Sequence, residues 1–339
     1  MRGVPAEVAV IGADVGGTTI GVGVVTPSGE VRWATEAPTL GRGPGTVLET
    51  LFGLLAEARA RAAAAGLALA GCGIGVPGAV DAAAGRIGDD VQNLPELAGA
   101  PLAELVAAET RLPTVLDNDV NALTLGEARF GVARELRSFV LLALGTGVGG
   151  GIYLDGDIVR GASGYGGELG HVTVKFDGRP CFCGSRGCLK AYVAGPDIAD
   201  QAREALAGRP PSPLLELAGA RLETLTARHV FAAAQAGDAL AGQLVDGVCQ
   251  ALGAGLGGIL NGLNPEAIVL TGGVARSLET HLEDVRRWTR AYAFEGAYRA
   301  ARVVIVRQTK TTSIRGPAAL FLHEADRGAV GGGSRGMRQ

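Results

Sequence analysis

The amino-acid sequence predicts a soluble α/β protein with two domains. Its 339 residues exceed the length at which one hydrophobic core usually stops growing, so two cores are expected. The composition is 47% hydrophobic but only 4% aromatic, which is typical of α/β proteins built on Ala, Val, Leu and Gly. Glycines cluster in short runs between apolar segments, and this pattern indicates tight loops between strands and helices.

Charge and hydropathy exclude several function classes. A net charge of −3 gives no electrostatic basis for binding nucleic acid or an anionic membrane. We find no uninterrupted apolar run of the ~18 residues that a membrane span needs. The N-terminal segment lacks the apolar core of a signal peptide. We therefore expect a cytoplasmic enzyme.

The first motif is a predicted hairpin with an acidic residue at its mouth. Val8–Gly12 and Ile20–Val25 are strand-like runs, and Asp14 followed by Val-Gly-Gly-Thr-Thr lies between them. Glycines permit positive φ and close approach of a phosphate to backbone N–H groups, and threonines add hydroxyl donors. The phosphate-binding candidates are Gly16, Gly17, Thr18 and Thr19. Asp14 is a candidate for holding Mg²⁺ through water, although such a motif is also common in ordinary turns.

The same plan of a strand followed by a Gly/Thr turn occurs twice more. Phe139–Leu144 precedes the first of these turns and Ala267–Leu270 the second. Their candidate nucleotide-binding residues are Gly145, Thr146, Gly147, Gly272 and Gly273. No P-loop motif is present, and a Rossmann site fits poorly because the first glycine pair leads into a strand.

A group of acids and amides follows another predicted strand, Pro113–Leu116. Asp119 lies in this group, and a helix over Ala122–Phe130 is expected to follow it with Asn or Asp as N-cap. An acid at a strand end beside a phosphate site is where a kinase places its general base. A plain helix-capping cluster is the alternative.

A Cys/His cluster predicts a structural zinc site. Its four ligand candidates fall within one short window: His171, Cys181, Cys183 and Cys188. Imidazole and thiolate are the ligands of tetrahedral structural zinc. A reduced loop without metal and a disulfide are the alternatives, and the apparent cytosolic setting disfavours the disulfide. Glu168 lies three residues before His171, so the metal would also fix this carboxylate.

Together these motifs resemble the ROK family of bacterial sugar kinases and repressors, especially its glucokinases. The resemblance covers residues 8 to 325, and its specific part is the zinc segment. It implies an actin-like ATPase (ribonuclease H-like) α/β fold of two lobes with an interlobe cleft. The implied domains are a small lobe of 8–122 plus 304–325 and a large lobe of 123–303. Because residues 326–339 show no apolar periodicity, we expect them to form a disordered tail. The last helix is expected near Gly316 to Glu324.

The resemblance implies ATP-dependent phosphorylation of the primary, C6-type hydroxyl of a hexose, with ATP, Mg²⁺ and structural Zn²⁺ as cofactors. Asp119 would be the catalytic base, and His171 would bind zinc with one nitrogen and sugar with the other. The implied substrate-binding residues are Gly78, Asn93, Asn118, Glu168, His171 and Lys190. Family members are commonly dimers or tetramers, so a homo-oligomer is expected.

Lys190 departs from the family pattern, which has a glutamate after the last cysteine. An ammonium group only donates hydrogen bonds, whereas a carboxylate accepts them. This reversal favours an acceptor other than glucose, namely an amino sugar of the kanosamine type or a C7-cyclitol of antibiotic biosynthesis. Alternatively, Lys190 points into solvent and a neighbour replaces the glutamate. Thr19 is a milder departure, because the family often has Lys or Asn there.

A non-catalytic sugar sensor is the competing function class. Repressors of the family carry a helix-turn-helix before the first glycine turn, and only thirteen residues precede Asp14 here. The glycine turns and Asp119 are also present, so we expect an enzyme that binds a sugar or cyclitol rather than a repressor.

Overall fold

The structure is a computed structural model that describes residues 7–39, 46–89, 91, 94–208, 212–307 and 309–330. Asn93, a predicted sugar-binding residue, lies outside the described residues. Most of the predicted tail, residues 331–339, also lies outside them.

Strands and helices are both present throughout the described chain. The strands are β1 (Val8–Val15), β2 (Thr19–Val25), β3 (Val31–Pro38), β4 (Ala68–Val76), β5 (Val80–Asp81), β6 (Arg86–Ile87), β7 (Thr114–Asn118), β8 (Phe139–Leu144), β9 (Val148–Leu154), β10 (Asp157–Ile158), β11 (Ala267–Thr271) and β12 (Arg302–Ile305). The helices are α1 (Thr46–Ala64), α2 (Leu102–Thr110), α3 (Asp119–Phe130), α4 (Lys190–Val193), α5 (Gly195–Leu206), α6 (Pro213–Leu217), α7 (Ala227–Gln235), α8 (Ala239–Leu263), α9 (Gly273–Ser277), α10 (Leu282–Tyr292), α11 (Glu295–Ala300) and α12 (Lys310–Asp326).

The chain forms two compact units. Unit 1 contains the described residues within 1–135, 158–166 and 308–339. Unit 2 contains those within 136–157 and 167–307. The short stretch 158–166 therefore belongs to unit 1, although the residues on both sides of it belong to unit 2.

Each unit is built on a five-stranded sheet of the same design. The strand order is β3-β2-β1-β4-β7 in unit 1 and β10-β9-β8-β11-β12 in unit 2. In unit 1, β1 pairs antiparallel with β2 and parallel with β4, which is parallel to β7. In unit 2, β8 pairs antiparallel with β9 and parallel with β11, which is parallel to β12. Each unit therefore contains one of the two predicted hairpins: β1–β2 at the first glycine turn and β8–β9 at the second.

Helix α12 packs closely on the sheet of unit 1. A Cβ atom on Gly12 of β1 would collide with the carbonyl oxygen of Ile314, and one on Gly73 of β4 with that of Pro317. Only glycine allows this backbone-to-backbone approach. Ile314 and Phe321 are buried in a small apolar cluster against the sheet. The glycines inside these strands therefore serve helix packing.

Two helices differ in extent from the sequence prediction. Helix α12 begins at Lys310, well before the expected Gly316, because Thr309 forms a capping box with Thr312. Apolar residues at helical spacing predict a helix over Leu278 to Tyr292, but helix α10 begins only at Leu282, since a short 3-10 helix occupies the residues just before it. Both ends are set by local hydrogen bonding rather than by apolar periodicity.

Helix α8 is long and apolar enough to span a membrane by length and composition alone, which a buried core helix can also be. Its most apolar 18-residue window is 61% buried within the protein. Gly253 and Gly257 on this helix face Trp288 and Tyr292 of α10 at close range. The apolar surface of α8 is therefore largely used for packing inside unit 2.

Candidate functional site

In unit 1, the parallel strands bring their carboxyl ends to one edge of the sheet. Asp14 near the end of β1 is in register with Gly75 of β4, and Val76 of β4 is in register with Asn118 of β7. Asp119 directly follows β7 as the first residue of α3. The two acids singled out from the sequence therefore lie at the same edge.

Asn118 fixes the start of helix α3, which begins three residues earlier than predicted. Its Oδ1 accepts hydrogen bonds from the backbone N–H groups of Val120 (2.8 Å) and Asn121 (3.2 Å). Its Nδ2 donates to the carbonyl oxygen of Gly78 at 3.0 Å. Gly78 has a φ of +87°, which favours glycine. Asn118 and Gly78, both predicted to bind sugar, are thus joined by a hydrogen bond. Asn118 also caps helix α3, which is the helix-capping role that the sequence left open as an alternative.

Asp14 and Asp119 are close enough to influence each other's charge. Partial burial and the negative charge of Asp119 raise the pKa of Asp14 to about 7, against a smaller opposing effect of a hydrogen bond with Ser313. At neutral pH, the Asp14 carboxyl therefore loses its proton readily when a cation is offered. Adjacent carboxylates of this kind fit a magnesium ion that keeps most of its water ligands.

The first glycine turn is tight but does not use positive φ. The Gly16 N–H donates to the carbonyl oxygen of Thr19 at 3.0 Å, and the Thr39 hydroxyl donates to the Gly16 carbonyl oxygen. In the described chain, neither Gly16 nor Gly17 has a left-handed φ, so this turn does not use the positive φ that glycine permits. The Thr18 and Thr19 side chains are exposed and could meet a ligand.

In unit 2, the other two glycine turns also share one sheet edge. Strands β8 and β11 are parallel and pair Ala143 with Thr271, so the turn Gly145–Gly147 lies beside the turn that begins at Gly272. Gly272 has a φ of +98°, and a Cβ on it would collide with the carbonyl oxygen of the last residue of β8. Gly273 then begins helix α9.

The segment that carries Glu168 and His171 packs directly on strand β9. A Cβ on Gly150 would collide with the carbonyl oxygen of Gly167, and one on Gly170 with that of the first residue of β9. Glu168 is exposed and immediately precedes the 3-10 helix Leu169–His171. The strand that leaves the second glycine turn therefore fixes the position of both predicted sugar-binding residues.

The Cys/His cluster has the dimensions of a zinc site. One ligand atom from each of its four residues lies within 4.8 Å of the others. The distance is 3.6 Å from Cys181 Sγ to His171 Nδ1 and 3.7 Å from Cys183 Sγ to Cys188 Sγ. Zinc–sulfur bonds of about 2.3 Å in a tetrahedron place sulfurs about 3.8 Å apart, so the cluster fits the ion. His171 directs Nδ1 at the cluster, which leaves Nε2 for another partner.

Lys190 does not extend into solvent. Its Nζ lies 2.8 Å from Asp197 Oδ2, and its side chain is only 17% exposed. Nζ also lies 4.8 Å from the centroid of the Phe182 ring, which meets the His171 ring edge-on at 5.2 Å. Lys190 is therefore linked to the zinc-cluster histidine through one aromatic ring.

Sequence reasoning missed the residues that support the predicted ones. Ser313 is hydrogen-bonded to Asp14, Asp197 is paired with Lys190, and Arg160 is paired with a buried acid beside Asp119. Ser313 and Arg160 reach their partners from distant parts of the chain, and Asp197 does so from the next helix. Sequence spacing alone therefore carried no signal for these contacts.

Comparison with known proteins identifies the family. A model of the ROK family matches residues 10–324. The chain belongs to the ROK family. It is 37% identical to a glucokinase from Halalkalibacterium halodurans over 285 residues, which cover 84% of this chain and 86% of that protein.

Solved structures of ROK family proteins share the fold. A ROK glucokinase from Streptomyces griseus in complex with glucose and AMPPNP has 30% identity and a TM-score of 0.75, covering 92% of this chain and 98% of that one. A ROK transcriptional regulator, a homologue of the E. coli MLC protein, has 25% identity and a TM-score of 0.82, with coverages of 94% and 79%. The predicted family and actin-like ATPase fold are confirmed.

Replacing Asp14 by Asn should change how stability depends on pH. The pKa of Asp14 is 3.8 in its ordinary state and about 7 in the fold, so the folded protein holds a proton that the unfolded chain has released. The free energy of unfolding therefore falls as pH rises through this window. Asp14→Asn lacks this loss and should gain about 1–3 kcal/mol relative to wild type between pH 5 and pH 8. Urea unfolding at both pH values measures the difference, and an equal difference at both would contradict the assignment.

Proposed function

We propose that the protein transfers the γ-phosphoryl group of ATP to the primary hydroxyl of a hexose or hexose-like acceptor. The observation that carries the proposal is that Asp14 and Asp119 lie at the same sheet edge, where strand β1 leads into the first glycine turn. Phosphoryl transfer needs a base for the acceptor hydroxyl and positive groups for the phosphates. The relatives named glucokinase support hexose as the acceptor class.

Asp119 is the proposed general base. It is the first residue of α3, and its Oδ1 accepts a hydrogen bond from the Val120 N–H at 2.9 Å, which fixes the side chain. A carboxylate at this position also lies at the positive end of the helix dipole. A base held in this way can accept the hydroxyl proton as the oxygen attacks the phosphorus atom.

The glycine turns are the proposed phosphate and nucleotide sites. Backbone N–H groups and threonine hydroxyls in such turns donate to phosphate oxygens without steric hindrance from side chains. The proposed residues are Gly16, Gly17, Thr18 and Thr19 in unit 1, and Gly145, Thr146, Gly147, Gly272 and Gly273 in unit 2. Asp14 would hold Mg²⁺ through water, and the ion would neutralise charge that develops on the phosphates.

The acceptor is proposed to bind through Asn118, Gly78, Glu168 and His171. Zinc would act structurally: bound at His171 Nδ1, it fixes the ring so that Nε2 donates to an acceptor oxygen. Glu168 precedes the same 3-10 helix and accepts from a hydroxyl. By the resemblance to family members, we further propose a cytoplasmic location and a homodimer or homotetramer.

Loss of one zinc ligand should weaken acceptor binding more than ATP binding. Cys183→Ser removes one thiolate from the cluster and frees the His171 ring, so we expect loss of bound zinc and at least a tenfold higher KM for the acceptor (~1.4 kcal/mol). Metal analysis of the purified variants and steady-state kinetics measure both effects. The control is Cys72→Ala, which changes a buried cysteine outside the cluster. Wild-type protein purified without zinc would refute the metal assignment.

Removing the proposed base should abolish turnover while binding persists. Asp119→Asn keeps the shape of the side chain but cannot accept the proton, so kcat should fall by roughly 10²–10⁴-fold. A coupled assay of ADP release gives kcat, and calorimetry gives acceptor affinity, which we expect to stay within about threefold of wild type. Asp81→Asn changes an exposed acid that accepts from the Ala84 N–H, and it is the matched control. Retained turnover in Asp119→Asn would exclude this residue as the base.

A second acceptor class is favoured by the Lys190–Asp197 pair. The pair places an ammonium and a carboxylate, both less than one-fifth exposed, beside the aromatic ring that contacts His171. Such a pair offers both a donor and an acceptor to a ligand, whereas a single glutamate only accepts. We therefore keep an amino sugar of the kanosamine type, or a C7-cyclitol, as the alternative acceptor.

Reversing the charge at position 190 should shift acceptor preference. Lys190→Glu removes the donor and adds an acceptor, so kcat/KM for glucose should rise at least about fivefold relative to that for an aminohexose (~1 kcal/mol). The assay compares hexoses, aminohexoses and C7-cyclitols at fixed ATP. Lys175→Glu makes the same charge change at an exposed site of the zinc segment and serves as control. An unchanged ratio would place Lys190 outside the acceptor site.

A non-catalytic sugar sensor is the competing interpretation, since a transcriptional regulator is among the similar structures. The Asp14–Asp119 pair favours the enzyme, because a sensor has no need for an acid whose pKa is raised by burial and by a neighbouring acid. The assay of ATP turnover with and without acceptor separates the two. Sugar binding without turnover would support the sensor.

A further inference from the structure

A three-residue ionic network lies directly behind the start of helix α3. Arg160 Nε donates to Asp117 Oδ2 at 2.7 Å, and Arg160 Nη2 donates to Glu324 Oε1 at 2.7 Å. The side chains are 2% exposed for Asp117, 24% for Arg160 and 17% for Glu324. The network joins strand β7, the 158–166 stretch and helix α12, all within unit 1.

The second oxygen of Asp117 holds the residues on both sides of Asp119. Asp117 Oδ1 accepts from the Asn118 N–H at 2.7 Å and from Asn121 Nδ2 at 2.9 Å. In the described chain, Asn121 Oδ1 is buried and accepts no hydrogen bond. The carboxylate therefore determines the orientation of this amide even at the cost of an unpaired acceptor.

Arg160 is what makes a charged Asp117 tolerable in this position. A buried carboxylate without a counter-ion is strongly disfavoured and either takes up a proton or moves toward solvent. Either response would alter the two hydrogen bonds that Asp117 accepts from Asn118 and Asn121 at the start of α3. Two arginine nitrogens shared between two carboxylates also fix the geometry of the network.

The backbone around Arg160 is itself fixed on unit 1. The Gly166 N–H donates to the Arg160 carbonyl oxygen at 2.8 Å, which closes a loop. Gly164 has a φ of +80°, and a Cβ on it would press against the carbonyl oxygen of Val80. The guanidinium group is therefore presented from a constrained backbone.

We propose that Arg160 is a positioning residue for Asp119, acting through Asp117. The proposal rests on the proposed function, because the consequence of misplacing Asp119 is slower phosphoryl transfer. Arg160 holds the Asp117 carboxylate in place, and Asp117 holds the turn of α3 that carries Asp119. None of the residues proposed to bind the nucleotide belongs to the network, so the affinity for ATP should not depend on it.

The test is a double-mutant cycle on kcat. Arg160→Gln should lower kcat at least about tenfold, with KM for ATP within about twofold of wild type. Replacing the Asp117 carboxylate, which has lost its counter-ion, should then restore activity. Arg160→Gln/Asp117→Asn should therefore have a kcat several-fold above that of Arg160→Gln alone. Arg160→Lys keeps the charge but cannot contact both carboxylates through two nitrogens, so its kcat should lie between those of wild type and Arg160→Gln.

The matched control is Arg129→Gln, which breaks another ion pair between α3 and α12, from Arg129 Nη1 to Asp326 Oδ2 at 2.6 Å. Its kcat should equal that of wild type. Thermal unfolding of all variants separates lost activity from lost folding. A wild-type kcat for Arg160→Gln, or a double variant slower than both single ones, would overturn the positioning role alone. Absence of ATP turnover in the wild type would overturn both this role and the proposed function.

Discussion

The close approach of backbone to backbone, permitted by glycine, is the constraint on which the site of unit 1 depends. Helix α12 can lie against the sheet only because Gly12 and Gly73 present no Cβ atom to it. This contact brings Ser313 to Asp14 and Glu324 to Arg160. Without the glycines, the helix would stand away from the strands, and Asp14 would lose Ser313 while Arg160 would lose Glu324.

Unit 2 uses the same device for a different purpose. Gly150 and Gly170 let the turn that carries Glu168 and His171 lie directly on the backbone of β9. The glycines that follow strand β8 therefore have two roles. Gly145 and Gly147 form the turn, and Gly150 is required for packing.

Two acids of unit 1 lie in electrostatically different surroundings. Asp14 is held beside Asp119, and the pKa of Asp14 rises because its charged form is disfavoured there. Asp117 is more buried but has Arg160 as counter-ion, so it can serve as a fixed charge. One acid is thus ready to accept a cation, and the other is reserved for holding helix α3.

The sequence by itself determined the family, the α/β character and the residues of the Cys/His cluster, because these depend on residue type at short spacing. The strand-end position of Asp119 followed from the same local logic, since a strand and a helix flank it. Only the tertiary structure decided the ends of α12, the true conformation of the Gly16–Gly17 turn, and the partners of Asp117 and Lys190. Long-range contacts such as that between Arg160 and Glu324 join residues that no local pattern connects, and their geometry comes from packing. Local sequence patterns therefore identify the candidate residues, whereas tertiary packing determines which of them are in contact.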